Sequence, residues 1–480
     1  MAQTVFRGDS LYESTTYGYT PFATIITGYW MKLTVPLGMN TITSSKILGI
    51  ILYGLNVGSF YLLSKEVFTK KQSAWISTTL FAGLSFLAVW SGTGAESKHF
   101  VLLFTILGLI YLIKRKWFWV GLTFGLAAMC WHVAVINFLA VIPIISWKRT
   151  NELKKVITNI FIGVLIALIP VIAYLWMTEG WIYFWNQAIL RKVLFEGSEV
   201  GESPLKWLLK AWFPSYSGDF LHFLAAALGF FLLASKVLTE RISKQVSSIN
   251  VDAIGPLFSI TIVCAVFNSI EFQGPPDNIT ILPSIVLFAC YFFVTITGRV
   301  KNMIVLYSLI SLLLVYNFLD AIIYRPPYTY QEQLSTISEL KEKYGPNPFT
   351  INFEEYYAIT EQRLPTKYVR LAKYEDVLID NIYGEKSRVY DAMKSSNYLI
   401  IKSNKPDLSK SFSSLKHLVL RAGYKSSTSK VYKEGLGEVY MNNLDLTPVD
   451  TFKIKVDQLL LDSKFYVTND YVVFRNNSPE

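Results

Sequence analysis

Hydrophobic and polar residues fall into long blocks along this chain, not into the short alternations of a soluble core. Apolar runs cover residues 46–63, 74–90, 100–113, 117–147, 156–177, 220–234, 254–270, 279–297 and 303–323. A helix needs about 20 mostly apolar residues to cross the hydrocarbon, so most of these runs predict membrane helices. The run 117–147 is too long for one ordinary span, and the polar pair Trp131-His132 interrupts it near its middle. It reads either as two short helices that enter and leave by the same side or as one tilted helix. Residues 22–37 are apolar but carry Thr, Gly, Lys32 and Pro36, which predicts an interfacial or partly inserted helix. Thr20-Pro21 before it reads as a helix start, with Thr as cap and Pro in the first turn.

Basic residues then orient the runs. Lys65/Lys70/Lys71, Lys114-Arg115-Lys116, Lys148-Arg149 with Lys154-Lys155, Lys236/Arg241/Lys244 and Arg299/Lys301 occupy alternate loops, provided that 117–147 returns to its own side. Cytoplasmic loops collect Lys and Arg, so these clusters are expected inside. The agreement favours the short-helix pair. It also puts 1–43, "SGTGAESKH", 179–218, "EFQGPPDN" and everything after Tyr324 outside. In the tail, "KEKYGPNPFTINFEEYY" reads as helix, turn and strand, and "YEDVLIDNIYGEKSRVYDAM" as helical. "NYLIIKS" reads as a strand, and "KFYVTNDYVVFRN" as a hairpin turning near Asn469-Asp470. The expected fold is mostly α, a polytopic bundle of about 9–11 membrane helices with an extracytoplasmic α/β domain. The expected division is 1–43, 44–324 and 325–480.

Composition agrees: 480 residues are 52% hydrophobic and only 17% charged, too apolar for one soluble core. Cys130, Cys264 and Cys290 lie in apolar stretches without disulfide or metal spacing. No internal repeat of the kind that marks transporters is visible.

The front of the chain carries the family resemblance. "GDSLYESTTYGYTPF", with Gly8, Tyr12 and Tyr19-Thr20-Pro21, resembles the first outer loop of the GT-C superfamily of lipid-linked sugar transferases. It is most similar to glycosylphosphatidylinositol mannosyltransferases and their prokaryotic relatives. "SGTGAESKHF", "FGLAAMCWHVAVINFLAVIP" and "FEEYYAITEQRLPTKYV" resemble later segments of such enzymes in the same order. The resemblance implies an inverting hexosyltransferase acting on the outer side. Its donor is a polyprenyl-phosphate sugar, mannose by the nearest relatives, and its acceptor a lipid, glycan or protein. The superfamily usually places a catalytic Asp after a first helix, upstream of the Gly-Tyr stretch. That leads us to expect a further helix and its aspartate before Met1. The alternative class is a non-catalytic protein of this fold or a lipid or polysaccharide transporter.

The chemistry needs a carboxylate to take a proton from the acceptor hydroxyl, and cations or hydrogen-bond donors for the leaving phosphate. Asp9 and Glu96 are the candidate acids; Asp9 reads more readily as a solvated turn residue, and Glu96 equally as a helix cap. Tyr12, Tyr19, Lys98, His99, His132, Arg191, Lys192, Glu271 and Gln273 are the candidate substrate contacts. Lys98, His99, Arg191 and Lys192 stand away from the cytoplasmic clusters, where they can meet a lipid phosphate or simply snorkel. His132 sits at a depth where ionisable groups usually line a cavity or pair with a neighbour. The expected partners are the donor and membrane lipid, not nucleic acid. No glycine-rich nucleotide loop is present. A divalent cation stays open, with no metal-ligand spacing to place it.

Overall fold

The computed structural model describes residues 1–15, 17, 19–147, 153–190, 220–239, 249–270, 279–299, 308, 310–312, 315, 329–345, 348–351, 354–366, 382–384, 386–403, 446–457 and 466–477. The candidates Arg191, Lys192, Glu271 and Gln273 lie outside them.

The first helices are α1 (Ala2–Arg7), α2 (Leu11–Ser14) and α3 (Phe22–Thr34). Next come α4 (Thr41–Val67), α5 (Lys71–Ala82), α6 (Ser85–Ser91) and α7 (Ser97–Ile113). They are followed by α8 (Trp117–Cys130), α9 (Val141–Trp147) and α10 (Leu153–Met177). Helices Phe220–Thr239, Val251–Ile270 and Leu282–Arg299 complete the described part of the bundle. Among the described residues, Thr41–Val67, Leu153–Met177 and His222–Thr239 are long and apolar enough to cross a membrane, with shorter apolar helices between them. The expected run 74–90 is broken at Gly83-Leu84 into α5 and α6.

Contacts fix helix directions. Ser45 O accepts from Ala95 N–H at 3.0 Å, Asn56 donates to His99 O at 3.2 Å, and Glu66 pairs with Lys114 at 2.8 Å. Residue numbers rise together, so α4 and α7 run parallel. Glycines bring α8 and α10 into backbone contact: Gly121 packs on Ile160, Gly125 on Val164 and Ala167, and Gly163 on Phe118 and Leu122. These numbers also rise together. Two parallel helices in sequence require the chain between them to return to its starting side. It does so after Trp131, whose extended backbone (φ −154°, ψ 115°) ends α8, through the 3-10 segment His132–Phe138 and α9. One continuous tilted helix over 117–147 is thereby ruled out.

One end of the bundle is basic. Glu66–Lys114 and Arg115–Asp252 (2.8 Å) lie there, with Lys65, Lys70 and Lys71 nearby. The opposite end is roofed by α3. Thr20, just before it, donates to Ala128 O near the end of α8, and Trp30 donates to Ser44 O at the start of α4. Helix α3 therefore lies across the helix ends. Thr20 does not cap it: Pro21 holds the cap position without a side-chain bond. The Thr20 hydroxyl satisfies one of the carbonyls that every helix C-terminus leaves over.

The C-terminal part forms a four-stranded sheet in the order β1-β2-β4-β3, from β1 (Phe349–Ile351), β2 (Tyr398–Ser403), β3 (Leu446–Asp457) and β4 (Tyr466–Asn476). β1 and β2 are parallel; the other pairs are antiparallel. Ile337, Leu340, Tyr356, Ile400 and Val473 bury its core. The hairpin expected at Asn469-Asp470 is instead one strand, because the segment pairs on both sides, with Asp470 opposite Ser403 and Lys453. Tight two-residue turns favour a Gly that tolerates φ > 0, and Asn-Asp lacks it.

Candidate functional site

The site grows from the tyrosine loop at the roofed end. Tyr12 is fully buried, and its hydroxyl donates to Tyr19 O at 2.6 Å. Tyr17 accepts a hydrogen bond from Thr24 at 2.8 Å. The rings stack in sequence: Tyr12 on Tyr17 and Tyr17 on Tyr19, each at 5.8 Å, and Tyr19 faces His132 at 6.3 Å. Tyr174 on α10 accepts from Leu11 N–H at 3.1 Å. A segment rich in Tyr, Thr and Gly thus becomes an ordered wall, because tyrosine buries a large ring while its hydroxyl finds a partner.

The facing wall comes from the loop before α7 and the break after α8. Lys98 Nζ lies 2.8 Å from the centroid of the Trp131 ring, a cation–π contact. Glu96 occupies the N-cap of α7 in a capping box: its N–H donates to His99 Nδ1 at 3.2 Å and its side chain faces the His99 N–H. The Glu96 side chain reaches solvent, yet burial is the largest influence on its carboxyl and raises its pKa, while the Trp90 indole and Lys98 act in the opposite direction. The solvent contact tempers the burial effect. The Glu96 charge reaches Tyr17, whose phenol burial also pushes up. Glu96, Lys98, Trp131, His132, Tyr17 and Tyr19 therefore lie close together at the roofed end, in a cluster with Glu96 and Tyr19 open to solvent.

Two candidates stand elsewhere. His99 is fully buried and stacks on Trp90 at 4.7 Å, so it supports the cap rather than the cluster. Asp9 pairs with Arg363 of the C-terminal part at 3.1 Å. Around that pair, Arg7 donates to the carbonyls of Glu361 and Gln362, Gln3 to Ala358 O, and Thr41 to Glu361 Oε1. The "TEQR" turn is thus docked on α1 and the start of α4, with Glu361 in the left-handed region (φ 57°). Asp9 is a docking residue.

Gln187 was not among the sequence candidates. It is fully buried, accepts from Tyr17 N–H at 2.8 Å, and donates to Tyr12 O at 2.5 Å and to the Tyr383 hydroxyl at 3.4 Å. A single glutamine in a mixed loop carries no signal that separates it from a solvated one. Among the described residues no group of three or more His, Cys, Asp or Glu side chains is placed to hold a metal ion.

This bundle, with its returning segment, roofing helix and C-terminal α/β part, shares its fold with a solved polytopic helical membrane protein. Among solved structures it is similar to ArnT from Cupriavidus metallidurans bound to undecaprenyl phosphate, with a TM-score of 0.57 at 12% identity over 98% of this chain and 92% of that one. Against the apo state of the same protein the TM-score is 0.45 at 12% identity, over 72% of this chain and 57% of that one. No protein-family model matches the sequence, and no curated protein sequence matches it.

Proposed function

We propose that this chain is a membrane glycosyltransferase that moves a sugar from a polyprenyl-phosphate donor to an acceptor hydroxyl. The observation that carries the reading is the closeness of a carboxyl and a lysine beside the tyrosine loop: Lys98, held over the Trp131 ring, acts on the Glu96 carboxyl, and Glu96 acts on Tyr17. The ligand of the ArnT structure, undecaprenyl phosphate, supports a polyprenyl phosphate in this fold.

In this mechanism Glu96 is the general base. It takes the acceptor proton as the hydroxyl oxygen attacks the anomeric carbon, and the bond to the phosphate oxygen breaks. The phosphate leaves as an anion. Lys98 meets its charge, and the exposed Tyr19 hydroxyl and His132 border its path. A single displacement of this kind inverts the anomeric centre. The sugar is a hexose in our reading, with mannose the first to test. Asp9 drops out as base because it is held by Arg363.

The experiment is transfer of labelled sugar from polyprenyl-phosphate mannose, and from other polyprenyl-phosphate sugars, by the purified chain in bilayers. Transfer lost in Glu96→Gln supports the proposal; no transfer from any such donor, or transfer undiminished in the variant, overturns it. For Lys98→Gln we expect the donor KM to rise at least about tenfold, since a charge-assisted contact contributes roughly 1.5–3 kcal/mol. An unchanged KM removes Lys98 from the phosphate site.

The same reading places the basic end in the cytoplasm and the cluster and residues after 325 outside. Single cysteines at Ser97 and Glu361 should then react with an impermeant reagent in intact cells, and one at Lys70 should not. The reverse pattern inverts the topology.

A further inference from the structure

We infer that Gln187 is the positioning residue of the tyrosine loop, and that the C-terminal part acts on the cluster through it. The inference deepens the transferase reading and rests on it only for its activity arm.

Gln187 lies in a π-helical turn, Trp185–Leu190, a geometry concentrated at functional positions. One side-chain amide here bonds three separate pieces of chain. Its oxygen takes the Tyr17 N–H; its nitrogen uses one hydrogen on the Tyr12 carbonyl and directs the other at the Tyr383 hydroxyl. Tyr12 and Tyr17 bracket the loop. A single amide therefore sets the distance between the loop's two ends, and with it where Tyr19 stands before His132. Tyr383 also contacts the ring of Tyr183, at 6.1 Å, so the C-terminal segment abuts the same turn. The hydrogen bonds are buried, and leaving a buried donor or acceptor unmade costs more than a made one contributes. An apolar group of the same shape in place of Gln187 would strand the Tyr17 N–H and the Tyr12 carbonyl, and the loop would open to find water.

An opened loop must reorder before it can complete the cluster. Donor affinity then falls by the fraction of molecules in the ordered state, while turnover of the filled site is largely kept. For Gln187→Met we expect the donor KM to rise about ten- to thirtyfold, with kcat changed less than about threefold. Gln187→Glu keeps an acceptor for Tyr17 but, ionised, cannot donate to Tyr12 O, so its KM should fall between. Tyr383→Phe should raise KM about two- to threefold. Hydrogen exchange over residues 11–20 of the full chain in bilayers gives a readout that needs no activity. The Tyr17 amide should lose protection in Gln187→Met and keep it in Gln187→Glu. If Gln187→Met leaves the Tyr17 amide protected, or lowers kcat with KM unchanged, the inference is wrong. If Gln187→Met yields no folded protein, the KM values of Gln187→Glu and Tyr383→Phe decide it: a raised donor KM with kcat kept supports the inference, and both KM values unchanged overturn it. If no donor is turned over at all, the transferase reading fails while the exchange result still decides the role of Gln187.

Discussion

Replacing Glu96 with Gln should lower transfer by about 10²–10⁴-fold, the usual contribution of a positioned general base. The variant should leave the fold intact, because the Gln side-chain oxygen can still accept from the His99 N–H and the Trp90 indole, and the Glu96 backbone N–H keeps its bond to His99 Nδ1. Donor KM should change little, since Lys98 keeps its place over Trp131. The pH profile gives the same base a second signature. In the proposed mechanism Glu96 works ionised, and partial burial raises its pKa from the ordinary carboxylate value. Activity should therefore be lost as pH falls through that raised value, so the acid limb of kcat lies at higher pH than a solvated Glu would give. Replacing the base by Gln removes the limb from whatever activity remains. A wild-type rate flat down to the ordinary carboxylate range would assign the proton transfer to another group. So would a fully active Glu96→Gln.

Much of the fold and part of the candidate site's neighbourhood are legible in the sequence, for physical reasons. Membrane helices must be apolar over their whole length, so the runs show without alignment, and a polar pair such as Trp131-His132 inside one stands out. Lysines and arginines orient the runs, and the short-helix pair follows from their alternation. Tyr12 and Tyr19 stand in the stretch that carries the family resemblance, Glu96 and Lys98 at an outer entry into a helix, and His132 where a polar residue beside hydrocarbon is costly. What stayed hidden depends on chain contacts across long separations. The bonds of Gln187 to Tyr12 and Tyr17 span 175 and 170 residues, and the Asp9–Arg363 pair spans 354. Nothing local distinguishes Gln187 from its neighbours. His99 was misplaced because sequence gives a membrane depth but not a helix face. The run 466–476 misled because Asn-Asp resembles a turn, while its partner strand, 446–457, contains Pro448 and a register shift that blur its alternation.

The return of the chain after Trp131 depends on the parallel contact of α8 with α10, and two glycines make that contact possible. A Cβ on Gly163 would collide with the Phe118 carbonyl and the Leu122 nitrogen, and one on Gly121 with the Ile160 carbonyl. These are backbone atoms of rigid helices, so no side chain can turn aside; the helices themselves must separate. Interiors pack close to crystal density, and overpacking costs about 1–3 kcal/mol even where side chains yield. Separation here also draws α8 away from the Thr20–Ala128 bond that holds the roof. Gly163→Val and Gly121→Val should each lower thermal stability by at least about 5 °C in detergent and sharply reduce the yield of folded protein. The control is Gly54→Ala on α4, where a Cβ meets open space. It should be neutral or stabilising by about 0.5–1 kcal/mol, since alanine removes the conformational cost of glycine in a helix. Equal stability of Gly163→Val and Gly54→Ala would show that α8 and α10 are not in backbone contact. The parallel arrangement, and the same-side return that follows from it, would then have to be abandoned.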